Sequence, residues 1–199
     1  MMDYYYEQLL LDLGFRTVCG MDEAGRGPLA GAVFAAAVIL PHGIVIEGLN
    51  DSKKLTEKKR EKLFDIIKEN AISYGIASAS AEEIDEINIL NASMLAMRRA
   101  ADMLDPKPDA GIIDGNTSRG FNFYTETLVK GDSLSPSVAA ASILAKVSRD
   151  RYMKELAEKY PEYNFAGHKG YPTKEHMELV RKLGPCPEHR KTFLKFLNK

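Results

Sequence analysis

Gly20-Met-Asp-Glu-Ala-Gly-Arg-Gly-Pro-Leu-Ala-Gly31 places two adjacent carboxylates, Asp22 and Glu23, directly before a Gly-Arg-Gly tripeptide. The preceding residues 17–21 read as a short apolar strand, and residues 30–40 as a second. Carboxylates at the end of a core strand are costly to desolvate unless a positive group sits against them. A divalent metal ion is the natural candidate. The chain must therefore build a sheet whose strand ends converge on a polar site.

The rest of the sequence supplies that sheet. A turn at residues 49–55 precedes a helical run over 57–70, and residues 71–80 alternate like a third strand. Ser80, followed by Glu82 and Glu83, reads as a helix cap with acids in the first turn. Leu90, Met94, Leu95, Met97 and Ala101 give residues 87–104 an amphipathic helical pattern, ended by Pro106 and Pro108. Residues 110–114 read as a buried strand closed by Gly115-Asn116, and 123–129 as another strand.

Ser135-Pro136 opens a long helix to about residue 160, and residues 138–145 are almost all small and apolar, so that helix can approach a sheet closely. A Gly-, His- and aromatic-rich loop over 163–172 and helices near 173–183 and 188–198 complete the chain. The order predicts a single α/β domain over 1–199 with a mixed sheet, and with 160–199 as a helical C-terminal portion.

With 45% hydrophobic and 28% charged residues, the composition is that of a globular chain. No stretch approaches the ~20 apolar residues of a membrane span. The start, Met-Met-Asp-Tyr-Tyr-Tyr-Glu, lacks the basic and apolar run of a secretory signal, so a cytoplasmic protein is expected. Cys19 and Cys186 form no metal-type pair and read as reduced thiols. Residues 1–129 carry 13 Lys/Arg and 20 Asp/Glu, whereas 130–199 carry 14 and 8. That asymmetry suits metals plus a polyanion, or two solvated surfaces of opposite sign.

Asp114, at the end of a later strand, and Asp132, after the next, share the context of Asp22 and Glu23. Ligands of open α/β sheets collect at such strand ends, so the four acids can converge. Oxygen ligands without His or Cys suit Mg2+ or Mn2+, and two such ions can drive phosphodiester hydrolysis. Asp132 alone reads better as a helix-capping or first-turn acid than as a ligand, and Asp114 equally well as a turn former. Asp22 and Glu23 share one site only if the strand bends after them, because successive strand residues face opposite ways.

Gly25 and Gly27 would let the backbone around Arg26 approach a sugar hydroxyl, and a 2′-hydroxyl separates RNA from DNA. Lys53, Lys54, Lys146, Arg149 and Lys154 are candidate phosphate contacts, with a solvated helix face as the alternative, which is the favoured reading for Arg149 and Lys154. Gly167-His-Lys-Gly-Tyr171-Pro offers an aromatic platform on a flexed loop. His168 and His176 are not spaced as a zinc site, and His42 and His189 read as surface residues.

Taken together, Asp22-Glu-Ala-Gly-Arg-Gly-Pro-Leu-Ala-Gly31, Leu49-Asn-Asp-Ser-Lys-Lys-Leu55, Ile87-Asn-Ile-Leu90 with Ala96-Met-Arg-Arg99, Asp114-Gly-Asn116, Lys130-Gly-Asp132, Ala139-Ala-Ala-Ser-Ile-Leu-Ala-Lys146 and His168-Lys-Gly-Tyr171 resemble the type 2 ribonucleases H, of the bacterial ribonuclease HII kind. The motifs occur in family order over about residues 17–193. The resemblance implies a ribonuclease H-like fold, with a five-stranded mixed sheet flanked by helices. It also implies cleavage of RNA in RNA–DNA hybrids and incision at single ribonucleotides in duplex DNA.

By the same resemblance Asp22, Glu23, Asp114 and Asp132 match the acidic set that binds Mn2+ or Mg2+. Gly25, Arg26 and Gly27 match the 2′-hydroxyl sensor, and Tyr171 the aromatic packed on a neighbouring deoxyribose. Lys53, Lys54 and Lys146 fall near the substrate backbone. Ala32 and Thr117-Ser-Arg-Gly120 depart from commoner family residues without touching a proposed ligand. The short N-terminus favours type HII over type HIII, and a monomer is the default.

The Phe193-Leu-Lys-Phe-Leu197 stretch reads either as a sliding-clamp docking peptide or, preferred, as a helix packed on the core. Two rival functions are a hybrid-binding module without catalysis and a DNA-only nuclease such as a junction resolvase. Retention of all four acids speaks against the first, and the Gly-Arg-Gly element against the second.

Overall fold

The computed structural model describes residues 2–198, so the outermost residues of the expected 1–199 domain, Met1 and Lys199, lie outside the described residues. Five strands, β1 (Val18–Ala24), β2 (Val33–Ile39), β3 (Ser73–Ala79), β4 (Ala110–Asp114) and β5 (Tyr124–Leu128), form one sheet in the order β3-β2-β1-β4-β5. β1, β2 and β3 run antiparallel to one another in turn, whereas β4 is parallel to β1 and β5 parallel to β4. This is the expected mixed sheet. Its parallel half directs the ends of β1, β4 and β5 to one side.

Helix α1 (Tyr5–Asp12) precedes the sheet, α2 (Glu57–Asn70) follows β2, and α3 (Ala81–Asp102) follows β3. α4 (Pro136–Lys159), the short α5 (Phe165–His168) and α6 (Lys174–Leu183) complete the helices. α3 packs on one sheet face, where Cys19, Met21, Val33, Ala35 and Ala37 meet Ala92, Met97, Ala100 and Leu104. On the other face Ala36 and Val38 meet Phe64 and Ile67 of α2 and Ala140, Ile143 and Leu144 of α4.

α3 opens with a complete capping box: Ser80 Oγ accepts the Glu83 amide, and Glu83 accepts the Ser80 amide. Asn88, at φ 65°, breaks the helix, and its Oδ1 accepts the Asn91 amide as the cap of the second segment. The cap at Ser80 and the amphipathic run from residue 87 are thus two joined segments, as their separate patterns suggest.

Differences from expectation have local causes. α1 has only two buried residues, Glu7 and Leu10, and so no strong apolar stripe. It is held by Leu10, Tyr6 and Leu11 on the core and by Glu7, whose Oε1 accepts Ser135 Oγ (2.6 Å) and the Ser137 amide (3.1 Å) at the positive N-terminal end of α4. The 163–172 loop contains the helical turn of α5. The helix expected over 188–198 is two 3-10 turns, Lys191–Phe193 and Lys195–Asn198, because His189 bridges Ala30 in extended backbone. Leu194 is buried and Phe193 and Phe196 pack beside it, so the tail does cover the core. No helix among the described residues is long and apolar enough to cross a membrane.

Candidate active site

Asp22 lies at the end of β1, Asp114 ends β4, and Asp132 sits in the turn Gly131–Ser133 after β5. Parallel pairing of Met21 with Ile113 brings Asp22 level with Asp114. One carboxylate oxygen from each of Asp22, Asp114 and Asp132 lies within 4.8 Å of the other two. The Gly131 amide donates to Asp114 Oδ1 (2.7 Å), which ties the β4 end to the turn carrying Asp132. Ser135, not Asp132, caps α4, so Asp132 is free to face the cluster.

Burial, followed by the Glu23 and Asp114 charges, holds the Asp22 carboxyl well above the ordinary carboxylate range. Asp132 is raised by burial and by Asp114 and Asp51. Glu23 is raised by burial against the opposing pull of Arg26, to which it is paired at 3.2 Å. It stands at the edge of the triad, within its electrostatic reach. Lys53 Nζ is 3.7 Å from Asp132 Oδ2. Burial lowers the Lys53 pKa, but the surrounding aspartates more than reverse this.

The other expected residues divide into two groups. Gly25 is buried at φ 99°, and a Cβ there would collide with the Arg149 side chain; Arg26 and Gly27 are exposed. Tyr171, 42% exposed, stands beside Gly27, and the Leu29 amide donates to Gly170 O (2.8 Å), joining the two loops. Lys54 reaches Asp51 (3.9 Å), Lys146 reaches Asp150 (2.7 Å) and exposed Lys154 reaches Glu57 (2.8 Å), so these three face neighbouring acids.

Three placements correct or extend the sequence reading. Arg149 is fully buried rather than on a solvated face, with its guanidinium donating to Lys169 O and 5.7 Å from the Tyr171 ring centre. Its helical phase with Ala145 and Met153 was the available signal. Asp51, beside Asp132, caps its own turn by accepting the Lys53 amide, a role that its place before Ser-Lys-Lys could have announced. Arg190, fully buried, had no local signal.

His189 is also buried, not on the surface. His176 Nδ1 donates to Tyr171 O (2.9 Å), so its bare Nε2 accepts His189 Nε2–H (3.0 Å), and His189 Nδ1 accepts the Cys186 amide (3.0 Å). Only the neutral rings satisfy this relay. Burial and then the His176 charge push His189 down to about 4, and burial also lowers His176 and His168. The unfolded chain, with histidines near 6.5, binds more protons between the two values, so this stabilisation is complete above pH 6.5 and fades as pH falls toward 4. For His189 the loss is on the order of 3 kcal/mol. The thermal-stability advantage of the native chain over His189→Leu should shrink steadily from pH 7 to 4.5; an advantage constant with pH would contradict neutral burial.

A family model described as Ribonuclease HII matches residues 19–198. The chain is 54% identical over 189 residues to the ribonuclease HII of Caldicellulosiruptor bescii, covering 95% of this chain and 92% of that protein. This chain belongs to the ribonuclease HII family. Among solved structures it is similar to the ribonuclease H2 of Pyrococcus horikoshii OT3, with a TM-score of 0.75, 27% identity and coverage of 92% of this chain and 100% of that one. It is also similar to the Archaeoglobus fulgidus structure of a PCNA:RNase HII complex, with a TM-score of 0.71, 25% identity and coverage of 91% and 95%.

The ribonuclease HII triad fits a hard divalent cation. All its donors are carboxylate oxygens, and Asp22 and Asp132 are raised first by burial and then by the neighbouring acids, costs that a bound cation would offset.

Proposed function

We propose that this ribonuclease HII family member hydrolyses the RNA strand of RNA–DNA hybrids and incises duplex DNA immediately 5′ of a single embedded ribonucleotide. The observation that carries this reading is the junction of two parts: the triad at the strand ends, and the exposed Arg26 and Gly27 backbone a few residues further on. No group among the described residues accepts a hydrogen bond from the Gly25, Arg26 or Gly27 amides. Those of Arg26 and Gly27, on exposed residues, are available to a sugar hydroxyl.

Asp22, Asp114 and Asp132 would hold the cation, Mg2+ or Mn2+, with Glu23 at the edge. When bound, it supplies activation of the attacking water and charge stabilisation on the leaving 3′-oxygen. Water adds in line to phosphorus and the P–O3′ bond breaks, leaving a 3′-hydroxyl and a 5′-phosphate. Tyr171 packs on the neighbouring deoxyribose, beside the sugar read at Gly27. Lys53, beside Asp132, together with Lys54 and Lys146, contacts backbone phosphates by exchanging present acidic partners.

The chain acts as a monomer in the cytoplasm, where both free cysteines stay reduced. Residues 160–199 serve as part of the catalytic unit, not as a separate module. The A. fulgidus complex makes a sliding-clamp contact a natural partner class, but burial of Leu194 supports the packed reading of the 193–197 stretch.

An end-labelled duplex with one ribonucleotide, incubated beside an all-DNA control in Mg2+ or Mn2+, tests the proposal. Incision 5′ of the ribonucleotide, lost with chelator and absent from the control, is expected. Binding without incision in either metal would instead indicate a hybrid-binding module, and cleavage of the control a DNA nuclease.

A further inference from the structure

Arg190 lies 165 residues from Gly25 in sequence, yet its Nη2 donates to Gly25 O (2.6 Å). Its Nη1 donates to Arg26 O (2.9 Å), and Nε and Nη2 both donate to Gly31 O (2.9 and 2.7 Å). Every nitrogen of the guanidinium is thus spent on loop carbonyls. No carboxylate among the described residues pairs with it. Its own amide donates to Leu29 O (2.8 Å), so main chain and side chain dock on the same segment.

The carbonyls of Gly25 and Arg26 belong to the peptide groups whose N–H groups are those of Arg26 and Gly27. In a trans peptide the C=O and N–H point in opposite directions. Gripping both carbonyls from inside the protein therefore turns both amides outward, toward solvent. A cationic donor on a carbonyl also polarises its peptide and strengthens the N–H on the far side. Burial and then the Arg149 charge pull the guanidinium down to about 9, which leaves it cationic at neutral pH.

From this geometry we infer that Arg190 is a specificity-determining positioning residue: it orients and polarises the Arg26 and Gly27 amides that read the ribose 2′-hydroxyl. A buried charge used only for packing would be replaceable by apolar groups at little loss. Here its four bonds converge on the recognition loop. Arg149, stacked beneath Gly25 with its Nε and Nη1 unpartnered, backs the same loop with a second cation.

The inference rests on the proposed function, and the test separates the two. The Asp22→Asn protein, expected to bind without cutting, is titrated with a one-ribonucleotide duplex and with its all-DNA counterpart. Equal affinity for both would refute the 2′-hydroxyl reading itself, and the inference with it. Given discrimination, adding Arg190→Lys, which keeps the charge but cannot span three carbonyls, is expected to lower the affinity ratio at least tenfold, or about 1.4 kcal/mol, with all-DNA affinity within about twofold.

An unchanged ratio, or equal weakening on both duplexes, would overturn the inference. Should Arg190→Lys fail to fold, Asp85→Ala serves. Asp85 accepts the Lys191 and Thr192 amides (2.7 and 2.9 Å) and so anchors the segment just after Arg190. Its loss is expected to lower the ratio about threefold through a loosened grip; no change would equally overturn the inference.

Discussion

Asp22→Asn is expected to reduce turnover by about three orders of magnitude or more, equivalent to at least ~4 kcal/mol of barrier, while leaving duplex binding largely intact. The same substitution should make the metal-free protein more stable. Asp22 is buried, and its carboxyl is raised by desolvation first and then by Glu23 and Asp114, so its ionised form is disfavoured in the folded state at neutral pH. Asparagine keeps the shape and removes the charge. A gain of about 1 kcal/mol corresponds to roughly 2–4 °C in a chain of this size.

Added Mg2+ or Mn2+ should then stabilise the native protein much more than the variant, since ligand stabilisation scales with the lost affinity. Calorimetry with and without metal, beside the cleavage assay, checks both effects. Undiminished turnover would remove Asp22 from the site, and a lowered metal-free Tm would mean that its charge is already balanced. The pH trend has its own sign. Because folded Asp22 and Asp132 hold their protons to higher pH than unfolded carboxylates, acidification relieves the metal-free triad. The histidine relay loses stability as pH falls from 6.5 toward 4.

Gly20→Ala is expected to destabilise the fold by about 3 kcal/mol or more, lowering Tm by roughly 6–12 °C. A Cβ on this β1 residue would overlap the Ser137 carbonyl carbon and the Val138 amide, with Ser137 O at 2.6 Å. These are backbone atoms of the first turn of α4, pinned by Glu7, so no flexible side-chain end can give way. Relief requires β1 and α4 to part. β1 carries Asp22, and α4 follows directly from the turn carrying Asp132. Activity should therefore fall beyond the loss of folded protein. Thermal unfolding decides the matter: a Tm within about 2 °C of native would show that the close approach is not rigid.

Much of this was legible because it is local. β4 ends on its acid, β1 carries its pair near its end although it runs on to Ala24 rather than stopping before Asp22, Ser80 with Glu83 carries its cap within four residues, and the small residues of 138–145 declare a helix that lies close to a sheet. Gly20 meets the start of that helix, at the backbone of Ser137 and Val138. α1 was silent because its apolar residues are few and its buried acid, Glu7, has partners about 130 residues away. The 188–198 stretch has helical composition, but the bridge of His189 to Ala30 overrides it.

By itself the sequence determined the elements, the acids at strand ends and the glycine-flanked loop, since periodicity, capping and turn chemistry act over a few residues. Only the tertiary structure decided that Asp22, Asp114 and Asp132 meet within 4.8 Å, because parallel pairing of β1 with β4 and of β4 with β5 sets that distance. It also decided that Arg149, His189 and Arg190, all residue types common on surfaces, are buried, with Arg149 and Arg190 packed behind the Gly25–Gly31 segment. Burying such polar groups is favourable only when acceptors wait for them, and the acceptors of Arg190, the carbonyls of Gly25, Arg26 and Gly31, come from the opposite end of the chain.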